Sequence, residues 1–427
     1  MKLFGVAGDP ILHSRSPDLF NGGFSAISFD GRYLLLASSS AKEAIAVAKE
    51  IGFSGLNITS PFKEEAFRLV DEVEDVAKEV EAVNTVVFSE GRARGLNTDV
   101  EGVRGALLEN GVPLSGKRIA VLGAGGSARA ACYALSSYGR VSILNRTLDR
   151  AVSIAEKFGG DAYGPGGWEL LREMDIIVLC LPIEPPIPAS VLRPGQTILN
   201  ANYSKAWTFE DRARIQGVKL IDGREWLFFQ ALRPFELFTS SEAPKGALRE
   251  ALCRPRRISG LICLCGFMGS GKTTVGKVLA ERLNMPFVDI DERIERKTGR
   301  TVEEIFERDG EHTFRRLEEE EIRRMKDMEK AVVAVGGGAV LNENTRHFLR
   351  ENSLVVWLWA NRETTLQRLH HDMRRPLLRG DKARIVEELL RTRIPLYANC
   401  SHLVVPTEGK SPEAIAERIR KEIDHGG

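Results

Sequence analysis

The feature that most constrains this chain is a local pattern it uses twice: an apolar strand, a glycine-rich turn, then the start of a helix. The first copy runs Ile119-Ala120-Val121-Leu122 into Gly123-Ala124-Gly125-Gly126-Ser127-Ala128. The second runs Leu261-Ile262-Cys263-Leu264-Cys265 into Gly266-Phe267-Met268-Gly269-Ser270-Gly271-Lys272-Thr273. Glycines at such a turn let the backbone come close to a ligand, and the helix N-terminus offers N–H donors, so each copy is a setting for a phosphate. Short apolar strands alternating with helical runs surround both, the sign of parallel α/β sheets.

Three stretches follow from this. Residues 1 to about 100 alternate β-branched or apolar runs (Leu3 to Val6, Tyr33 to Ala37, Leu56 to Thr59, Thr85 to Phe88) with helix-like segments. From 101 to 224 the alternation is more regular, with buried strands at Ile119 to Leu122, Val141 to Leu144, Asp175 to Leu181 and Thr197 to Leu199. A third series spans 261–427. The run Arg254-Pro255-Arg256-Arg257-Ile258-Ser259-Gly260 makes 254–260 the linker. A length of 427 residues agrees with two or three domains at about 150 residues each.

Charge and composition exclude some classes. Lys+Arg number 60 against Asp+Glu 59, which leaves no basic stripe for a nucleic-acid backbone. No apolar run approaches the roughly 20 residues that span a bilayer. The start, Met1-Lys2-Leu3-Phe4-Gly5, lacks the apolar stretch of a secretory leader, and the six cysteines form no CxxC pair. Cys263 and Cys265 read as strand residues. A reducing, cytoplasmic setting is expected.

The first glycine loop, G-x-G-x-x-A, fits a dinucleotide pyrophosphate, with Gly123 at the tight turn and Gly125 at the close approach. About 20 residues on, an NAD site tends to carry an acidic residue for the ribose hydroxyl. Here stand Asn145-Arg146-Thr147, with Arg150 one helical turn later. Two guanidinium groups suit a 2′-phosphate, so NADP(H) is expected over NAD.

Four polar segments precede this loop: His13-Ser14-Arg15-Ser16-Pro17, Asn57-Ile58-Thr59-Ser60-Pro61-Phe62-Lys63, Val83-Asn84-Thr85 and Gly95-Leu96-Asn97-Thr98-Asp99. Singly, each reads as a turn or a cap. Together they supply hydroxyls, amides, one ammonium and one carboxylate, suited to a small hydroxylated acid. Hydride delivery to a ketone needs a proton donor, which a lysine oriented by an aspartate provides.

With the glycine loop and Asn-Arg-Thr, these segments resemble the shikimate dehydrogenase family over residues 1 to about 253. The resemblance implies a substrate-binding domain at 1–100, completed by about 225–253, and a Rossmann-like NADP domain at 101–224. It implies Lys63 and Asp99 as the catalytic pair, and Ser14, Ser16, Asn57, Thr59 and Asn84 as substrate contacts. Tyr203 and Gln230 are expected to close the site. Gly123, Ala124, Gly125, Gly126, Ser127, Ala128, Asn145, Arg146, Thr147 and Arg150 form the dinucleotide site. The chain departs from the family at Phe20, at Cys180-Leu181-Pro182-Ile183, at Asn200 and at Trp226. Three of these departures are expected on the nicotinamide side, leaving the Lys–Asp pair untouched.

The second glycine loop fits G-x-x-x-x-G-K-T, in which Lys272 reaches phosphate oxygens and Thr273 ligates Mg²⁺. Phe287-Val288-Asp289-Ile290-Asp291 reads as a strand end with two carboxylates on one side, one for a metal-bound water and the other for a hydroxyl. Phe314-Arg315-Arg316-Leu317-Glu318 reads as helix, and Gly336-Gly337-Gly338 follows a strand. Arg375-Pro376-Leu377-Leu378 reads as a loop, and Arg391 to Tyr397 completes the set.

These segments resemble shikimate kinase from 260 to about 425, which implies a P-loop domain with a parallel sheet. By that resemblance Gly266, Gly269, Ser270, Gly271, Lys272, Thr273 and Thr274 hold ATP, with Arg368 near the adenine. Asp289 holds Mg²⁺ through water, beside Thr273. Asp291 positions or deprotonates the hydroxyl; Arg315, Arg393, Gly337 and Gly338 bind shikimate; Arg375 belongs to a lid. The two resemblances imply consecutive steps: NADPH-dependent reduction of 3-dehydroshikimate to shikimate, then phosphorylation to shikimate 3-phosphate with ATP and Mg²⁺. They name no nucleic-acid or membrane partner, and a homo-oligomer stays open.

Overall fold

The computed structural model describes residues 1–204, 207–255, 259–369 and 381–426. The first six strands are β1 (Lys2–Gly8), β2 (Gly31–Ala37), β3 (Phe53–Ile58), β4 (Glu72–Val73), β5 (Thr85–Ser89) and β6 (Arg92–Leu96). β2, β1 and β3 run parallel, and β5 and β6 add antiparallel strands beyond β3. Some helices start and stop at caps that the sequence supplies. Ser40 accepts from the Glu43 N–H to open Ala41–Ile51, and Gly52, in the left-handed region at φ +86°, closes it.

The middle stretch holds β7 (Ile119–Leu122), β8 (Val141–Leu144), β9 (Asp161–Tyr163), β10 (Ile176–Leu179), β11 (Thr197–Asn200) and β12 (Lys219–Ile221). They form a separate parallel sheet in the order β12-β11-β10-β7-β8-β9. Counted from β7, this is the order 3-2-1-4-5-6 of a dinucleotide fold, with the switch point beside β7, where the glycine loop emerges. The helix Gly223–Thr239 then returns to the first stretch and packs Leu227, Phe228, Phe235 and Phe238 into its core.

The last stretch holds β13 (Leu261–Cys265), β14 (Phe287–Asp289), β15 (Ala331–Ala334), β16 (Leu354–Trp359) and β17 (Leu403–Pro406), all parallel. Cys263 and Cys265 are buried strand residues of β13, as read from the sequence. β14 ends at Asp289, and a helix starts at Ile290, with Asp289 accepting from the Asp291 and Glu292 N–H groups. The expected pair of carboxylates on one side of a strand is therefore corrected: Asp289 caps a helix and Asp291 lies in its first turn. An aspartate at a helix start satisfies otherwise orphaned donors, and that preference overrides strand alternation here.

The separation of the first and third stretches in sequence is not kept in space. β17 pairs in parallel with β2, joining Leu403 to Leu35 and Val404 to Leu36. The result is one sheet of 11 strands, β14-β15-β13-β16-β17-β2-β1-β3-β5-β6-β4. Leu34, Leu36 and Val404 share the core on one face, and Leu35, Leu403 and Val405 share the core on the other. Truncating one such leucine to alanine costs about 2–5 kcal/mol. Polar contacts line the seam as well: Arg32 Nη2 donates to the Ser401 carbonyl at 3.0 Å, and Trp359 Nε1 to Glu50 at 3.2 Å. Among the described residues no helix is long and apolar enough to cross a membrane.

Two candidate active sites

The first site lies between the end of β3, the end of β6 and the helix Gly223–Thr239. Lys63 opens the short helix Lys63–Phe67, and Asp99 opens the helix Asp99–Glu109. Their side chains meet with Nζ to Oδ2 at 2.7 Å, and their exposures are only 10% and 1%. In so dry a place the ammonium cannot wander, and removing either partner strands the other at a cost of about 3–5 kcal/mol. Lys63 also donates to Ser127 Oγ at 2.9 Å, which ties it to the first glycine loop.

The pair sits on the wall of a cavity of about 110 Å³. Ser14, Ser16, Asn57, Thr59 and Asn84 line it, and Tyr203 and Gln230 close it, so all seven expected contacts come together. Ser14 and Ser16 touch each other (Oγ to Oγ, 3.2 Å). Asn57 Nδ2 donates to Thr85 Oγ1 at 2.9 Å, and its Oδ1 accepts from the Tyr33 hydroxyl at 2.6 Å. Asn84 Oδ1 accepts from the Thr98 N–H at 2.9 Å. Burial pushes the Tyr33 phenol well up and the Tyr203 phenol up, so both stay neutral hydroxyls.

Two residues were missed or misjudged from the sequence. Tyr33 was read only as a strand residue. Trp226 was expected to stay clear of the Lys–Asp pair, yet its Nε1 donates to Asp99 Oδ1 at 3.2 Å. This expectation is corrected: Asp99 receives Lys63 on one oxygen and Trp226 on the other. The place of Trp226 one helical turn before Gln230, on the same face, was the only signal. Gly102 has no Cβ where Trp226 packs, since one would meet the indole at 2.5 Å. Phe20, another departure, stacks on Tyr33 with centroids 4.3 Å apart.

Beside this cavity the dinucleotide loop has the expected form. Gly123 has φ +115°, and a Cβ on it would meet the Cys180 carbonyl at 2.6 Å. A Cβ on Gly126 would meet Lys63 Cβ at 2.9 Å, while Gly125 faces open space apart from Glu64 Oε1 at 3.9 Å. Gly126, Ser127 and Ala128 begin the next helix, and Ala124 is buried beneath the turn. Asn145 Nδ2 donates to the Thr147 carbonyl at 2.8 Å, which shapes the turn after β8, and Arg146 is exposed there. Arg150 instead pairs with Glu64 at 3.0 Å. An exposed pair of this kind is worth about 0–1 kcal/mol, so a phosphate dianion can exchange for it.

The second site surrounds the other glycine loop. Gly266, Gly269 and Gly271 have φ of +144°, +76° and +93°, a backbone only glycine adopts cheaply. Lys272 Nζ lies 3.0 Å from the Gly266 carbonyl and 3.1 Å from that of Phe267. Thr273 Oγ1 donates to Asp289 Oδ2 at 2.8 Å. Ser270 is buried under the loop, whereas Thr274 is exposed. Arg368 bonds the Gly269 carbonyl at 3.1 Å and Thr407, which places it against the loop.

Across from the loop, Arg315, Asp291, Gly337, Gly338 and Arg393 converge. A Cβ on Gly338 would meet Arg315 Nη2 at 2.1 Å, so only glycine leaves the guanidinium its place. Arg393 Nη1 reaches toward the Gly337 carbonyl at 3.5 Å, and the Tyr397 hydroxyl donates to the same oxygen at 2.5 Å. Arg315 Nη1 donates to Glu318 Oε2 at 2.6 Å. Glu318, to which the sequence reading gave no role, is 2% exposed. Burial raises its carboxyl to about 7, Asp291 adding to the rise and Arg315 opposing it. Arg375 lies outside the described residues. Among those residues no three His, Cys, Asp or Glu side chains form a metal-holding cluster. A cation here would rest on Thr273, Asp289 and the nucleotide's own oxygens.

Comparison with known proteins gives this geometry its family. The model for the shikimate dehydrogenase substrate binding domain matches residues 6–86, and that for shikimate / quinate 5-dehydrogenase matches 106–188. The shikimate dehydrogenase (NADP(+)) of Methanosarcina acetivorans is 37% identical over 273 residues, which cover 59% of this chain and 97% of that one. The chain belongs to the shikimate dehydrogenase family. A second such dehydrogenase, from Thermococcus kodakarensis, is 35% identical over 58% of this chain and 95% of its own. Among solved structures, Thermus thermophilus shikimate 5-dehydrogenase in complex with NADP(H) and shikimate superposes at TM-score 0.55 with 33% identity. It covers 59% of this chain and 98% of that one. The Aquifex aeolicus shikimate dehydrogenase reaches TM-score 0.56 at 32% identity, over 60% of this chain and 98% of that one. Behind the dehydrogenase part, the shikimate kinase model matches residues 268–424, so the chain is a fusion of the two.

Proposed function

We infer that the chain reduces 3-dehydroshikimate to shikimate with NADPH and then phosphorylates shikimate with ATP and Mg²⁺ to shikimate 3-phosphate. The observation that carries the first half is Lys63, held 2.7 Å from Asp99 on the wall of a hydroxyl-lined cavity and 2.9 Å from the dinucleotide loop at Ser127. The reduced nicotinamide, when bound, supplies the hydride. Lys63 donates the proton to the oxygen where charge develops, and Asp99 keeps its ammonium aimed there. Trp226 fixes Asp99 from the other side. Ser14, Ser16, Asn57, Thr59 and Asn84 hold the substrate's carboxylate and hydroxyls, and Tyr203 and Gln230 shut out water. The open face of Gly125 and the helix start at Gly126 fit a pyrophosphate, and Arg146 and Arg150 suit the 2′-phosphate of NADP(H).

In the second half, the left-handed glycines shape a loop whose N–H groups can cradle phosphates, and Lys272 neutralises them. Thr273 and Asp289 are the pair that would hold Mg²⁺, Asp289 through water; with ATP bound, the γ-phosphoryl group is what this site transfers. Asp291 positions or deprotonates the acceptor hydroxyl, while Arg315, Arg393 and the Gly337–Gly338 backbone hold the acceptor carboxylate. Arg368 lies toward the adenine side. The architecture is a substrate domain at 1–100 and about 225–253, a dinucleotide domain at 101–224, a linker at 254–260 and a kinase domain at 261–427. The setting is cytoplasmic, and a homo-oligomer is compatible with this arrangement.

The deciding experiment supplies 3-dehydroshikimate, NADPH and MgATP together. Shikimate 3-phosphate should accumulate, with NADPH oxidation lost in Lys63→Ala. A chain that binds 3-dehydroshikimate but oxidises no NADPH would reduce the first half to a scaffold. Equal phosphorylation of gluconate and shikimate would overturn the acceptor assignment.

A further inference from the structure

The turn that carries Ser14 and Ser16 is not held by the dehydrogenase part alone. Glu422, on the last helix Pro412–Gly426, is fully buried, and its Oε2 accepts from the N–H of Ile11 at 2.7 Å and of Leu12 at 2.8 Å. The Ile11 carbonyl in turn accepts from the Ser14 N–H at 2.9 Å, and the Ser14 hydroxyl accepts from the Ser16 N–H at 3.3 Å. From the kinase's last helix to the cavity wall there are thus three consecutive hydrogen-bonded steps. Neighbouring contacts hold the same segment. Asp9 pairs with Arg418 at 2.8 Å and Lys421 at 2.6 Å, and its N–H donates to the Ser60 carbonyl, three residues before Lys63. Ile11 and Leu12 share a buried cluster with Ile415, Ala416 and Ile419. A Cβ on Gly426 would meet Leu12 Cγ at 2.6 Å.

We propose that Glu422, a residue of the kinase part, is a positioning residue for the dehydrogenase reaction. By holding the Ile11 and Leu12 amides it sets the turn that presents Ser14 and Ser16 to 3-dehydroshikimate. The inference rests on the reading of those serines as substrate contacts. A carboxylate accepting two buried N–H groups cannot be deleted without leaving both donors orphaned, and the turn must then reorganise to find water. The chemistry at Lys63 and Asp99 lies beyond that turn and is unchanged by it. The loss therefore falls on substrate binding rather than on the chemical step.

The test uses the full chain, with both activities measured on one preparation. Glu422→Ala is expected to raise KM for 3-dehydroshikimate about tenfold while kcat and KM for NADPH stay within about twofold. Phosphorylation of shikimate should also stay within about twofold, which reports that the helix is in place. Glu422→Gln keeps a carbonyl oxygen at the acceptor position and should restore KM to within about threefold of the parent. Should alanine prevent folding, Glu422→Asp carries the test, since it draws the oxygens back by one methylene and should still raise KM at least about threefold. An unchanged KM in these variants, or a matching fall in both activities, overturns the proposal. Ser14→Ala separates it from its premise. A raised KM there with a flat Glu422→Ala sinks the positioning role alone, and a flat Ser14→Ala sinks the site reading together with it.

Discussion

The two sites of this chain are built on opposite plans. In the dehydrogenase cavity the working side chains already hold one another: Lys63 on Asp99 and Ser127, Asp99 on Trp226, Asn57 on Tyr33. Substrate adds to a finished network, and the cost of arranging it is met in folding. In the kinase cleft the working groups lean on partners they must exchange. Lys272 rests on two loop carbonyls, Thr273 on Asp289, and Arg315 on Glu318 and Glu311. Mutation of the Lys63–Asp99–Trp226 contacts should therefore act mainly on the chemical step of the reduction, and mutation in the kinase cleft on how ligands and protons compete for the same charges.

Lys63→Ala tests the finished network most severely. NADPH oxidation with 3-dehydroshikimate should fall by about 10²–10⁴-fold while phosphorylation of shikimate is unaffected. Comparable loss of both activities in a folded chain would show that the sites do not work separately. The mirror experiment, Lys272→Ala, should cost phosphorylation about 10²–10³-fold and leave the reduction intact, as a coupled assay of both products will reveal. Trp226→Phe keeps the ring but removes the donor to Asp99. Loss of one hydrogen bond to a charged group predicts about a tenfold fall in kcat for reduction. A variant at parental rate would mean that Lys63 alone orients Asp99.

The smallest expected effect sharpens the contrast through pH. The Glu318 carboxyl is raised to about 7, chiefly by burial. Below that value it is neutral and leaves Arg315 a freer cation for the shikimate carboxylate, so KM for shikimate should fall about threefold as pH drops from about 8 to 6. Glu318→Gln should abolish that dependence. Since its folded value lies above the ordinary one, Glu318 supports the fold fully below about pH 4.5 and withdraws that support as pH rises through about 7. No matching effect is expected in the dehydrogenase cavity.

What the sequence revealed and what it concealed follow from how locally each feature is encoded. β7, β8, β10 and β13 were legible because each is an apolar run ending at a turn. β6 was harder, because Arg92 and Arg94 point out of an antiparallel pair and break the apolar run. The substrate contacts were legible because turn residues cluster at strand ends. Trp226 was not, since its partner lies 127 positions away and nothing in a helical face names the distant carboxylate. Asp289 and Asp291 were misread because capping and alternation compete for one short string. The β2–β17 pairing left no signal at all, because both are apolar strands that any parallel neighbour would satisfy.

That pairing has a consequence for how the protein is made. β2 emerges from the ribosome early, and its outer edge meets β17 only after about 370 more residues have been added, roughly 20–70 s at typical elongation speed. Throughout that interval Tyr33 to Ala37 is an open, apolar strand rim of the kind that recruits strangers. The nascent chain must therefore be sheltered, by a chaperone or by provisional contacts of its own, until its final helix and strand arrive to close the gap.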